Sequence, residues 1–235
     1  MAATNTMAHE GLIFDLDGTL VNSLPGIAMA LNAALAAAGL PVHPESRVRG
    51  FIGNGLETTV ARACPAETSE AMVARLVDDF HGHYAGAWNT GTRPYPGIAL
   101  LLRDLQESGL PLAVLSNKSH AFTVEMVAEI FPGISFSAVL GLRPGMPPKP
   151  DPGGALEIAA KLDMPPHACR IIGDSTMDIE TAKHAGMASC AVTWGYHDTS
   201  QLLAANPDTV VDDVDGLRNH LRMKELKSAA PTQAS

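Results

Sequence analysis

Cysteine is scarce in this chain. Cys64, Cys169 and Cys190 are the three among 235 residues, an odd number with no CxxC spacing. That excludes a disulfide framework and a thiolate metal site, and it leads us to expect free thiols in a reducing cytoplasm. Positive charge is also short: 16 lysines and arginines against 25 acids give a formal net charge of −9. A chain so acidic is not built for nucleic acid or an anionic membrane, although a locally positive site for a small anion remains open. No apolar run reaches membrane-spanning length. The opening MAATNTMAHEG lacks a basic region followed by an apolar stretch, so it is not expected to be a signal peptide. The end, SAAPTQAS, is expected to fray. No internal repeat appears, and 46% hydrophobic residues with 17% charged suit an ordinary globular chain with a sizeable core.

What is present is a recurring order of apolar run, turn and helix. GLIFDL (11–16), LPLAVLS (110–116), FSAVLG (136–141), CRIIGD (169–174) and ASCAVT (188–193) are strand candidates, with TVVDD (209–213) a weaker sixth. Between them, Ile98, Leu101, Leu102 and Leu105 share one helical face ahead of Gly109. Phe122, Met126 and Ile130 recur every four residues after Ser119, a candidate N-cap. Strands alternating with helices predict an α/β fold, a Rossmann-like parallel sheet with helices on both faces. Ligands of such sheets bind beyond the carboxyl ends of the strands.

Residues 21–92 break the pattern, because they offer no convincing strand. SLPGIAMALNAALAAAGL reads as a helix with Ser23 as cap, Pro25 in the first turn and Gly39 at the end. ESRVRGFIGNGLETTVARA and SEAMVARLVDDFHGHYAGAW also read as mostly helical. The expected organisation is therefore an α/β core of residues 1–20 and 93–235, with an inserted small α-helical cap of residues 21–92. His81 and His83 fall two apart on one helix and point to different sides, which argues against a metal site there.

The polar residues at strand ends are expected to meet. They are Asp15 and Asp17, Ser116 and Asn117, and Asp174 with Asp178 four residues on, joined by Lys149 from the turn-rich PGMPPKPDPGG. Taken alone, several have plainer readings: Ser-Asn ends many strands, an acid at the third helical position helps any helix, and a lone lysine is usually solvated. Taken together they place four carboxylates against one lysine. Buried acids in that proportion repel and are costly. A divalent cation balances them, and all-oxygen ligands point to Mg²⁺, which also favours phosphate oxygens.

DLDGT (15–19), SN (116–117), KPDP (149–152) and GDSTMD (173–178) stand in the order of the four motifs of the haloacid dehalogenase-like hydrolase superfamily, and the chain resembles its phosphatases over nearly its whole length. Within that superfamily, LVNSLPGIAMALNAAL, FIGNGLE, GDSTMDIETAKHAGM and TWGYHD are most similar to the phosphoglycolate phosphatase-like family. Asn22 departs from many relatives, which carry an acid there. The resemblance implies a Mg²⁺-dependent phosphomonoester hydrolase with Asp15 as nucleophile and Asp17 as general acid and base. It also implies that Lys149 offsets negative charge, that Thr19, Ser116 and Asn117 donate to the phosphoryl group, and that Asp15, the Asp17 carbonyl and Asp174 hold the metal with Asp178 behind them. The expected partner is a small-molecule phosphate ester, most simply 2-phosphoglycolate, handled by a cytoplasmic monomer or homodimer. Sugar phosphates, nucleoside monophosphates and pyrophosphate are alternative substrates, and a phosphosugar mutase would share the core residues. A signalling receiver domain would need neither Asp17 nor a cap.

Substrate choice is expected to come from the cap. RGFIGNGLE (49–57) offers Gly53, Asn54 and Gly55 just before a helix start near Leu56, where backbone donors can meet a small carboxylate, with Arg49 as a basic neighbour.

Overall fold

The computed structural model describes residues 10–229, with side chains to residue 221. Residues 1–9 and the tail 230–235 lie outside the described residues, and the readings of those ends lie there with them. In chain order the elements are β1 (Gly11–Phe14), β2 (Val21–Asn22), α1 (Leu24–Ala37), α2 (Glu45–Arg49), α3 (Leu56–Ala63), α4 (Glu70–Ala85), α5 (Trp88–Gly91) and β3 (Arg93–Pro94). They continue as α6 (Ile98–Glu107), β4 (Leu112–Ser119), α7 (His120–Ile130), β5 (Ala138–Leu142), α8 (Gly153–Lys161), β6 (Cys169–Gly173), α9 (Thr176–Ala185), β7 (Ala188–Val192), α10 (Thr199–Ala204), β8 (Thr209–Val211) and α11 (Val214–Ala229).

Six strands form one parallel sheet in the order β5-β4-β1-β6-β7-β8. β1 is central and fully buried, which is why it reads as an unbroken apolar run. Its side chains alternate: Leu12 and Phe14 enter the larger core shared with α1 and α6, while Ile13 packs on the opposite face with Ala155 and Ile158 of α8. Burial of side chains of this size contributes about 1.5–3 kcal/mol each. Register then decides where the acids go. Phe14 pairs with Val114 on one side and Ile172 on the other, so the residues that follow β1, β4 and β6 emerge at one sheet edge.

Helices α1–α5 lie outside the sheet, and α1 packs against α2, α4 and α5. The expectation of no strand in 21–92 needs one correction: β2 pairs antiparallel with β3, Val21 opposite Pro94 and Asn22 opposite Arg93. Strands of two residues carry no legible period, and these close the chain where it leaves the sheet and returns. The stretch 45–63 is two helices rather than one, parted at residues 50–55, where Gly55 holds φ at +87° ahead of α3. Two expected caps also differ. Ser23 and Ser119 occupy the N-cap positions of α1 and α7 but make no side-chain cap bond. Ser23 Oγ turns instead to Asp17, a partly buried carboxylate with a stronger demand for a donor. None of the described helices is long and apolar enough to cross a membrane.

Candidate active site

The carboxyl ends of β1, β4 and β6 bring the expected residues together. Lys149 is the hub. It is buried, and its ammonium reaches Asp15 Oδ1 at 2.9 Å, Asp178 Oδ1 at 2.6 Å and the Leu115 carbonyl at 3.1 Å, which engages all three of its donors. Asn117 fixes the lysine's backbone: its Oδ1 accepts from Lys149 N at 2.7 Å and its Nδ2 donates to the Lys149 carbonyl at 3.1 Å. Asp178 stands third in α9 in a capping box with Ser175, so it both starts the helix and receives the lysine. Asp178 therefore serves the helix start and the Lys149 ammonium at once.

Asp174 follows β6. Its carboxylate accepts from Thr19 Oγ1 at 2.8 Å and from Tyr196 N at 2.7 Å. Thr19's hydroxyl is thus spent on Asp174, and Thr19 does not line the cavity described below. Close backbone approach explains two glycines: a Cβ on Gly18 or on Gly195 would sit 2.2–2.8 Å from Asp174 side-chain atoms. Gly18 also holds φ at +85°.

Asp15, Asp174 and Asp178 each offer a carboxylate oxygen, and these atoms lie within 4.8 Å of one another. Burial pushes the Asp15 carboxyl up to about 8 against the pull of Lys149, and the charges of Asp178 and Asp174 add to the rise. Burial, then the Asp178 charge, pushes Asp174 up to about 7. For Lys149, burial works against the charge but the two acids outweigh it, and its pKa rises. Three buried acids thus face one committed cation. The deficit of positive charge and the all-oxygen donor set fit a divalent metal ion.

Asp17 has partners of its own. Ser23 Oγ donates to its Oδ1 at 2.5 Å, and the Lys118 ammonium sits 3.1 Å from Oδ2 and 3.3 Å from Oδ1. Two acids two residues apart are thereby held by different cations. Lys118, Ser23, Tyr196 and Gly195 were missed in the sequence. Lys118 was the legible one, as the cation directly after Ser116-Asn117 at a strand end.

A cavity of about 90 Å³ lies between sheet edge and helices, lined by Asp15, Asp17, Ser116, Asn117, Lys118 and Asp174 below and by Ile27, Ile52, Gly53, Gly55, Leu56, Phe80 and His81 above. Three contacts hold the upper wall down. Asn117 Nδ2 donates to the Gly53 carbonyl at 3.1 Å, Asn54 Nδ2 to Met177 Sδ, and the Arg49 guanidinium to the Tyr196 and Gly195 carbonyls at 2.8 and 2.9 Å. Arg49 is therefore a tether between α2 and the loop after β7, and it does not line the cavity.

Residues 12–192 match the sequence profile of the haloacid dehalogenase-like hydrolases. A phosphoglycolate phosphatase of Pectobacterium atrosepticum is 35% identical over 208 residues, 87% of this chain and 89% of that protein. One of Escherichia coli K12 is 33% identical over 231 residues, 88% of this chain and 90% of that protein. Among solved structures, a Lactobacillus delbrueckii protein assigned as a phosphoglycolate phosphatase superposes with a TM-score of 0.86 at 30% identity, covering 91% of this chain and 98% of that one. With its parallel sheet, its acids at the strand ends and these relatives, the chain belongs to the haloacid dehalogenase-like hydrolase family.

Proposed function

We propose that this phosphatase is a Mg²⁺-dependent phosphomonoester hydrolase that works through an aspartyl-phosphate on Asp15, with 2-phosphoglycolate as substrate and glycolate and phosphate as products. The carrying observation is the separate custody of the two neighbouring acids. Asp15 rests on Lys149 at the cavity floor, where it can attack phosphorus. Asp17 is aimed by Ser23 and Lys118, where it can protonate the leaving alkoxide and later take a proton from water. Environments that differ so sharply are how one site divides two carboxylates between two roles.

Asp15, the Asp17 carbonyl and Asp174 would hold Mg²⁺, with Asp178 anchoring Lys149 behind them. The ion would supply positive charge to Asp15 and to the phosphoryl oxygens. Lys149 offsets charge on the nucleophile and Ser116 faces the cavity as a donor to the phosphoryl group, while Asn117, whose two Nδ2 hydrogens go to the Gly53 and Lys149 carbonyls, holds Lys149 and the glycine loop in place. Residues 21–92 act as the cap that closes over the reaction and excludes water. The small cavity, the α3 start at Gly55 and the names of the relatives favour a short substrate with one carboxylate. Three free thiols support a cytoplasmic location.

The test is phosphate release with Mg²⁺ across a panel of phosphate esters, ranked by kcat/KM. 2-Phosphoglycolate should lead. A hexose phosphate or a nucleotide at the head would overturn the substrate, and no release from any ester would overturn the activity.

A further inference from the structure

Lys118 stands apart from every other cation near the site. Lys149 has all three donors engaged below, and Arg49 is committed to two backbone carbonyls. Lys118 lines the cavity with its side chain 9% exposed, and its ammonium lies 4.6 Å over the Tyr84 ring of α4. That ammonium donates to both oxygens of one carboxylate, Asp17, and also reaches the Tyr84 side chain. A lysine has three donors on a rotatable head, so it can turn one to a newcomer without releasing Asp17. The two histidines of the lining do not compete for this role: burial holds His197 towards its neutral form, and His81 lies among Phe80, Tyr84 and Phe122 on the apolar cap wall.

We propose that Lys118 recognises the carboxylate of the substrate, sharing its ammonium between Asp17 and that carboxylate, and so selects phosphate esters that carry an acid on the carbon next to the ester oxygen. The proposal rests on the reading of 2-phosphoglycolate as substrate and goes beyond it, since it adds a core residue to the glycine loop as a source of selection. The geometry follows from the chemistry. Asp17 protonates the ester oxygen and must lie within hydrogen-bond reach of it. In 2-phosphoglycolate one methylene separates that oxygen from the carboxylate, so a cation resting on Asp17 meets the carboxylate. The apolar side chains of the lining, Ile27, Ile52, Leu56 and Phe122, offer an anion no charge partner. An anion placed there without Lys118 would be buried unpaired.

The experiment compares kcat/KM for 2-phosphoglycolate and for ethyl phosphate, which replaces the carboxylate by a methyl group. Lys118→Gln should lower the ratio of the two at least tenfold, equivalent to 1.4 kcal/mol, with the change carried mainly by KM for 2-phosphoglycolate. Lys118→Arg should keep most of the preference. Lys118→Met, which keeps an unbranched stem beneath Tyr84, is the second variant should the glutamine fail to fold. If Lys118 only positions Asp17, both substrates suffer equally and the ratio holds, which overturns the proposal while the phosphoglycolate reading stands. If the unmodified enzyme does not prefer 2-phosphoglycolate to ethyl phosphate, the substrate reading falls and takes the proposal with it.

Discussion

Metal binding at the three-acid cluster should be strongly linked to protons. Two carboxylates 4.8 Å apart repel by about 3.5 kcal/mol at an effective dielectric of 20, the equivalent of about 2.5 pKa units. Burial first, with that repulsion added to it, holds Asp15 and Asp174 up to about 8 and about 7. A group whose pKa is raised by folding contributes stability that is fully present below its unfolded pKa and lost as pH rises through the folded one. The metal-free protein should therefore lose stability as pH climbs from about 4 to about 8, and the upper end of that window is where Mg²⁺ would replace the departing protons. Between pH 6 and pH 8, loss of the protons shared by Asp15 and Asp174 should tighten Mg²⁺ binding about tenfold or more. Calorimetric titration of metal-free protein with Mg²⁺ at both pH values, in buffers of different ionisation enthalpy, reads affinity and proton release together. Affinity rising at least tenfold, with protons released at pH 6, is the expected result. Equal affinity at the two pH values with no proton release would refute the charge count at this cluster.

Asp15→Asn should abolish turnover and leave the fold intact, because it removes one of three crowded carboxylates; the checks are phosphate release and thermal melting, and near-normal activity in a folded variant refutes the assignment. Chelation should stop activity and Mg²⁺ restore it, while Ca²⁺ should inhibit, since its longer bonds and higher coordination number let both Asp15 oxygens bind metal. Gly195→Ala would drive a methyl group into Asp174, whose side-chain atoms lie 2.2–2.4 Å from the new Cβ; we expect a loss of about 1–3 kcal/mol in stability and weaker Mg²⁺ binding, read by melting with and without metal. Gly55→Ala forces a side chain into φ +87° ahead of α3 and should cut 2-phosphoglycolate turnover more than tenfold beyond any loss on a small aryl phosphate.

The sheet was legible because its strands are buried on both faces and so read as apolar runs, and because Asp15, Ser116 and Asp174 each end such a run. Register then carries them to one edge without further information. The ribbon of β2 and β3 was illegible, since two residues carry no period and their pairing spans the whole helical insert. The partners of Asp17 were hidden for a related reason. Lys118 lies 101 residues away and Tyr196, which supports Ser23, 173 residues from it, so no local spacing marks either contact. Ser23 misled because a serine before a helix usually caps it, whereas here the partly buried carboxylate of Asp17 claims the hydroxyl. Arg49 read as a free cation, and tertiary contact with two carbonyls occupies it instead.

The central claim is that Asp15 carries the phosphoryl group. It is tested most directly by trapping that group on Asp17→Asn, in which the second, water-activating step should be slowed. With an aryl phosphate, whose good leaving group needs no acid, the intermediate should accumulate and survive an acid quench. Borohydride reduction of the quenched protein followed by peptide mass spectrometry should then find residue 15 converted to homoserine, in an amount that follows the burst of aryl alcohol. A burst of product with residue 15 unmodified, or with the label on another side chain, would contradict the account.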